Sequence, residues 1–169
     1  PPAGDERELI EAALLAGLDE ALQNLKKARA SEGARLAQAL AGHLARLAAL
    51  AGDAVGIAAT QPAAIQARLQ EQLASLLAGQ PAIAPERLAP EVAPLAAQAD
   101  VGEELDRIAA HLQAAEELMA RAGPIGRRFD FLCQELNRET NTLCAKSADV
   151  SLTRIGLDMK AVIDQLREQ

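Results

Sequence analysis

Apolar residues recur every three or four positions along most of the chain, which is the spacing of one face of an α-helix. No segment alternates apolar and polar residues over a strand length, and β-branched residues are scarce. The pattern predicts an all-α fold, in which a long helical hairpin or coiled-coil-like arm precedes a small helical bundle. The stripe of the arm comprises Leu15, Leu18, Leu22, Leu25, Leu36, Leu40, Leu44, Leu47, Leu50, Ala54 and Ile57.

Proline and glycine divide the chain into three predicted regions. Residues 1–80 form the long helical arm or hairpin, with a first break at Pro62. Residues 81–90, which contain three prolines, form a linker. Residues 91–169 form the helical bundle.

Three helices are predicted in the bundle. The first ends near Arg121, the second follows the turn Gly123-Pro124-Ile125-Gly126, and the third begins near Asp149. Their spacing predicts the following inward residues: Val101, Leu105, Ile108, Leu112, Ala115 and Met119; Leu132, Leu136 and Leu143; Leu152, Ile155, Met159, Val162 and Leu166.

Composition narrows the class of protein. No run of 18 or more apolar residues is free of charge, so no membrane-spanning helix is expected, and the first residues lack the pattern of a secretory signal. Cys133 and Cys144 are eleven residues apart, which is about 16 Å of rise on one helix and beyond the reach of a disulfide. We therefore expect small core-filling cysteines in a reducing cytoplasm.

The charge is unevenly distributed. A net charge of −7 argues against indiscriminate nucleic-acid binding. Residues 121–169, however, carry 8 Lys/Arg against 7 Asp/Glu. A basic surface is therefore expected in the last third of the chain.

The segment from Gly126 to Thr142 is the most polar part of that region. It holds three arginines, two glutamates, two asparagines, a glutamine and both aromatic residues of the chain, Phe129 and Phe131. A solvated helix face is usually built from Lys/Glu pairs instead. The composition indicates a site that binds a polar, anionic ligand or a metal.

Helical spacing brings the polar residues of two helices together. Asp100, Glu104, Arg107 and His111 share one face of the first bundle helix, and Arg128, Glu135, Glu139 and Thr142 share a face of the second. Residues equidistant from the turn of an antiparallel hairpin lie side by side. His111 is therefore predicted to lie level with Glu135, near Arg138 and Glu139.

Such a groove permits three interpretations. The carboxylates and His111 are suited to Mn²⁺ or Mg²⁺ while arginines hold a phosphate. His111 is alternatively a general acid or base, because imidazoles titrate near neutral pH. In the third interpretation the groove is only a network of interhelical salt bridges. Similarly, Arg127 and Arg128 either bind an anion at a helix start or point to solvent or pair with Asp130.

The polar segment also resembles a known family. Residues Gly126 to Leu132, Gln134 to Glu139, Asn141-Thr142 and Lys146-Ser147 are similar to the C-terminal region of the YicC-like bacterial endoribonucleases. Further matches lie upstream, at Asp100-Val101, Glu103-Glu104-Leu105, Arg107, His111-Leu112, Arg87-Leu88, Glu91, Arg29, Glu32-Gly33 and Leu36. Departures from the family pattern include Cys144-Ala145 in place of Gly-Ser, Ala110 in place of Ser, and Gln98 in place of Lys.

The resemblance implies a cytoplasmic endoribonuclease that needs a divalent metal, Mn²⁺ or Mg²⁺, and no small-molecule cofactor. Its family members form ring-like hexamers that close on RNA, and they carry an N-terminal α/β domain. Combined with the groove, it implies catalytic roles for His111, Glu135 and Glu139, with Glu104 as a further metal ligand. The RNA-binding residues would be Arg107, Arg127, Arg128, Arg138 and Lys146. The alternative is a non-catalytic helical module that oligomerises or clamps RNA.

Overall fold

A computed structural model describes residues 4–59, 67, 71, 75, 100–121, 123–147 and 149–169. Four helices are defined within them: α1 (Gly4–Ala58), α2 (Gly102–Met119), α3 (Gly126–Lys146) and α4 (Val150–Arg167). The described residues contain no strand, so the predicted all-α class, with a long helical arm and a small bundle, is confirmed. The predicted linker, residues 81–90, lies outside them.

The chain divides into two units, Pro1–Ala39 and Leu40–Gln169. Within the first unit, α1 exposes most of its leucines: Leu9 is 71% exposed and Leu22 is 47% exposed, whereas Leu36 is half-buried. Gly17 and Gly33 do not interrupt the helix, because alanine and leucine around them favour it. This unit has the stripe of a helix that needs a partner.

An 18-residue window of α1 reaches a mean hydropathy of 1.2, and 28% of it is buried. By length and composition alone the helix is apolar enough to cross a membrane, although core helices and signal sequences meet the same criterion. The absence of a membrane-spanning helix therefore stays a prediction.

The second unit holds the core. α2 packs against α3 and α3 packs against α4, so that α3 is covered on two sides. The last part of α1 also contributes buried residues, among them Leu44, Leu47 and Ala54. Most predicted inward positions are buried, which confirms the helical register.

Three predicted core positions are only half-buried. These residues are Met119, Leu132 and Ile155. Their neighbours Leu118, Cys133 and Gly156 are buried instead. The reason is that 3.6 residues per turn shift the stripe by one position over several turns. For α3, contact with two helices also widens the buried face.

Two local features fix the ends of the bundle helices. Gly123 has a φ of 104°, a conformation that L side chains rarely adopt, and it allows the short turn between α2 and α3. Asp149 caps α4, because its carboxylate accepts hydrogen bonds from the amides of Ser151 at 2.6 Å and Leu152 at 3.0 Å. The predicted start of the last helix at Asp149 is thus confirmed.

Candidate functional site

The α2–α3 hairpin brings together the three residues predicted as catalytic. One ligand atom each from His111, Glu135 and Glu139 lies within 4.8 Å of the others. The short turn makes the helices antiparallel, so that His111 comes level with Glu135 as the spacing predicted. His111 and Glu135 are half-buried and Glu139 is buried. We refer to these residues as the His/Glu/Glu cluster.

Glu139 is held by arginines from both helices. Its Oε1 accepts hydrogen bonds from Arg138 at 2.8 and 3.2 Å, and its Oε2 accepts one from Arg107 at 3.5 Å. The carboxylate is only 2% exposed, so these partners replace the water that a charged group otherwise requires. Two arginines thus keep a charged carboxylate in the interior.

The same arginines set the protonation of Glu139. Burial by itself raises the pKa of this carboxyl, but the hydrogen bond from Arg138 and the charges of Arg107 and Arg138 outweigh that effect. The net result is a pKa below its ordinary value of 4.5. Glu139 is therefore an anion at neutral pH, as a metal ligand must be.

Arg138 bridges the two carboxylates of the cluster. Its guanidinium lies 2.8 Å from Glu135 and 2.8 Å from Glu139, and its side chain is 62% exposed. Arg107 also contacts Glu103 one turn away on α2. The cluster therefore combines two carboxylates and an imidazole with two positive side chains, as the sequence predicted.

Glu104 lies apart from the cluster. Its Oε1 pairs with the ammonium group of Lys146 at 2.9 Å, and its side chain is 4% exposed. Its Oε2 is buried and has no hydrogen-bond partner among the residues that the structure describes. The structure thus groups three of the four predicted metal ligands and leaves the fourth in an ion pair.

Lys146, predicted to contact RNA, is engaged within the protein. Besides Glu104, its ammonium group donates to the carbonyl of Asp100 at 3.3 Å. The hydrogen bond and the charge of Glu104 raise the pKa of Lys146. In this arrangement Lys146 fastens the start of α2 to the end of α3.

Arg127 and Arg128 begin α3 and are exposed. No ion pair among the described residues includes them, and Asp130 instead lies 3.4 Å from Arg167. Of the two non-functional arrangements considered for these arginines, pairing with Asp130 is therefore wrong. Both line a pocket of about 530 Å³ at the turn end of the hairpin.

Sequence reasoning missed two contributors to that pocket. Arg121, two residues after the end of α2, lines it, and so does Phe131, which is 58% exposed. The sequence shows Phe131 only as one of the two aromatic residues of the chain. The spacing of two between Phe129 and Phe131 was the available signal, because it places them about 200° apart on a helix. Phe129 is accordingly buried.

Fold and site together define an all-α protein whose helical hairpin carries a His/Glu/Glu cluster flanked by arginines. Comparison with known proteins identifies the family. Residues 56–169 match the family described as "Endoribonuclease YicC-like, C-terminal". The chain belongs to the YicC-like endoribonuclease family, which confirms the resemblance in its sequence.

Two relatives illustrate the match. The chain is 33% identical over 162 residues to a "Probable endoribonuclease YicC" of Haemophilus influenzae, which covers 96% of the chain and 55% of that protein. It is 30% identical over 165 residues to a protein of the same name from Clostridioides difficile, covering 98% of the chain and 56% of the relative. The chain thus spans about half the length of these curated relatives.

Proposed function

We propose that this chain is the helical part of a metal-dependent endoribonuclease that cleaves RNA phosphodiester bonds. The observation that carries the proposal is the convergence of His111, Glu135 and Glu139 within 4.8 Å. The names of the two relatives, probable endoribonucleases, favour the same activity.

The donor atoms of the cluster suit the proposed metal. Carboxylate oxygens are the ligands that Mg²⁺ and Mn²⁺ prefer, and an imidazole nitrogen among them favours Mn²⁺ over Mg²⁺. His111, Glu135 and Glu139 would hold the ion. Arg138, which now bridges both carboxylates, must release them, and its 62% exposed side chain has room to do so.

A bound divalent ion would lower the pKa of a water and offset charge on the phosphate. The residues of the chain do the remaining work. If the two carboxylates alone held the ion, His111 would instead serve as general acid or base, because an imidazole nitrogen bound to the ion has no lone pair left for a proton. Arg138, once displaced, is placed to contact a phosphate beside the cluster.

The basic residues proposed to contact RNA differ in whether they are already paired with carboxylates. Arg127 and Arg128 have no ion pair among the described residues, whereas Arg107, Arg138 and Lys146 are paired with carboxylates. We therefore assign the first contact with RNA to Arg127 and Arg128. Arg107, Arg138 and Lys146 would contact phosphates only after exchanging a carboxylate for them.

Cleavage of a labelled RNA in Mn²⁺ tests the activity. We expect His111→Ala and Glu135→Gln each to reduce the rate at least about 100-fold. Glu116→Gln, which changes an exposed residue of α2, is the matched control and should cleave normally. Unchanged cleavage in both cluster variants would refute the assignment. Loss of helix content in either would favour a structural network instead.

Metal binding is tested without activity. Titration calorimetry with MnCl₂ should show a site in the protein that His111→Ala removes. Glu104→Gln should keep that site, because Glu104 lies outside the cluster. Absence of Mn²⁺ binding would mean that the cluster is a salt-bridge network.

A second candidate, a helical module that oligomerises or clamps RNA, is favoured by the exposed leucines of α1. Leu14, Leu15 and Leu18 are 57–67% exposed, and a partner helix from another copy would cover them. We propose a cytoplasmic homo-oligomer, a hexamer as the family resemblance implies. Sedimentation should show that Leu15→Asp with Leu18→Asp dissociates it. If the protein instead floats with lipid vesicles, and the two changes abolish flotation, α1 binds a membrane.

A further inference from the structure

The pocket at the turn end of the hairpin is separate from the His/Glu/Glu cluster. It has a volume of about 530 Å³, which lies in the range of pockets that bind small ligands. Its apolar side includes Leu118, which is buried, and Leu132, which is half-buried. Phe131, three arginines, Ala114 and Glu117 complete it.

The pocket carries unbalanced positive charge. Arg121, Arg127 and Arg128 line it and are exposed, and no ion pair among the described residues neutralises them. Glu117 is the one acidic residue of the lining, which leaves a net charge of +2. Arg127 and Arg128 also lie in the first turn of α3, where the helix dipole already favours an anion. These charges favour an anionic ligand over a neutral one.

Phe131 narrows the class of anion. Its ring is 58% exposed although it is one of two aromatic residues in the chain, and the other, Phe129, is 7% exposed in the core. A small inorganic anion has no ring that can stack on an aromatic side chain. An unpaired nucleotide uses both features, because its base stacks on an aromatic ring while its phosphate binds guanidinium groups.

The pocket opens on the face of the hairpin that carries the cluster. Arg128 and Glu135 are seven residues apart on α3, which is two turns and about 10 Å along one face. Ala114 of the pocket lies one turn from His111 on α2. A strand seated in the pocket therefore extends toward the cluster over a short distance.

We propose that this pocket binds one unpaired nucleotide of the RNA substrate, with its base on Phe131 and its phosphate between Arg121, Arg127 and Arg128. The inference rests on the proposed function, since it places that nucleotide beside the bond to be cleaved. It adds a substrate preference: the protein recognises single-stranded RNA next to the cleavage site, because a paired base cannot reach the ring.

Binding of a fluorescein-labelled single-stranded RNA, measured by anisotropy in EDTA, tests the pocket without cleavage. Phe131→Ala should weaken binding roughly 5- to 150-fold, the range for loss of one stacked base. Phe131→Tyr keeps the ring and should bind as the unchanged protein does. Leu157→Ala is the matched control, because Leu157 is equally exposed, at 57%, on α4 and does not line the pocket.

Two further arms define the ligand. Arg128→Ala should weaken binding. It should also reduce the slope of log affinity against log salt concentration by about 1, which corresponds to the loss of one phosphate contact. A fully paired duplex should bind equally well to Phe131→Ala and to the unchanged protein, because its bases cannot stack on the ring. A free 5′-mononucleotide should bind far more weakly than RNA.

The outcomes separate the pocket from the enzyme. If Phe131→Ala binds single-stranded RNA within twofold of the unchanged protein, the proposed nucleotide pocket is wrong, whatever the cleavage assay shows. Binding of a mononucleotide as tight as that of RNA would overturn RNA as the ligand, because the pocket would then be a site for a free nucleotide. If the unchanged protein cleaves no RNA but Phe131→Ala still loses binding, the proposed enzyme fails and the nucleotide pocket stands.

Discussion

The guanidinium of Arg107 on α2 lies 3.5 Å from the Oε2 atom of the buried Glu139 on α3. This pair joins the two helices that carry His111 and Glu135, so it links the two sides of the His/Glu/Glu cluster. Arg107 is half-exposed and Glu139 is not, which makes the arginine the replaceable partner.

Removing Arg107 should destabilise the hairpin. In Arg107→Ala, the buried carboxylate of Glu139 keeps only Arg138, and we expect the free energy of unfolding in urea to fall by about 1 kcal/mol. Arg35→Ala is the control, since Arg35 and Glu32 are 3.9 Å apart and both 77% exposed. Its effect should stay below about 0.5 kcal/mol. Equal effects would mean that the interhelical pair contributes nothing special.

Stability should depend on acid through Glu139. Because arginines lower the pKa of the folded carboxyl below its ordinary value of 4.5, Glu139 stabilises the folded state fully above about pH 4.5. That contribution is lost as the pH falls through the lowered pKa. As the pH is lowered below about 4.5, the free energy of unfolding of Glu139→Gln should therefore decline less than that of the unchanged protein. Gln165→Ala, which changes an exposed residue that does not titrate, should keep the full decline.

The register of the cluster could be predicted because it depends on two regular quantities. A helix rises uniformly, and a short turn makes two helices antiparallel, so equal distances from the turn place His111 beside Glu135. No detail of side-chain packing enters that argument. Burial of Leu136 and Leu143 follows from the same periodicity.

What the sequence did not predict depends on side-chain reach. Glu104 shares a helix face with Arg107 and His111, yet Lys146 reaches across from α3 and pairs with it. Periodicity cannot show which of several charged neighbours a long side chain selects. The pocket was missed for a related reason, since Arg121, which follows α2, and Phe131 of α3 are far apart in the sequence but line one cavity.

The ion pair of Glu104 and Lys146 should be asymmetric in its effect on stability. Glu104 is 4% exposed with one oxygen unpartnered, whereas Lys146 is 32% exposed and can turn to water. Glu104→Met should therefore be neutral or stabilise by about 1 kcal/mol, because a buried charge is exchanged for apolar volume. Lys146→Met should lower the thermal midpoint, because it leaves that charge unpaired. The reverse order would show that Glu104 is needed for folding.

Cys133 should be unreactive until the protein unfolds. Burial, and to a lesser extent Asp130, raises the pKa of its thiol to about 11, and the side chain is 1% exposed. In a Cys144→Ser background, alkylation by iodoacetamide at pH 8 should be at least about 100-fold slower than in guanidinium chloride. Labelling at the denatured rate would mean that α3 does not stay packed in solution.

Gly156 should be required by the close packing of α4 on α3. A Cβ at this position would overlap the Sγ atom of Cys144 and lie 3.3 Å from Cδ2 of Leu143. Gly156→Ala should therefore destabilise the protein by about 1–2 kcal/mol, even though alanine favours a helix.

The cause of that loss can be isolated with a double variant. Cys144→Ala removes the overlapping sulfur, so Gly156→Ala in that background should cost little or stabilise, with a coupling of about 1–2 kcal/mol between the two sites. Gly42→Ala in α1 is the control, because a Cβ there meets nothing within 4 Å and should stabilise by about 0.5–1 kcal/mol. Additive effects in urea denaturation would show that the α3–α4 contact is looser than the structure has it, since only a contact this close makes the two substitutions interdependent.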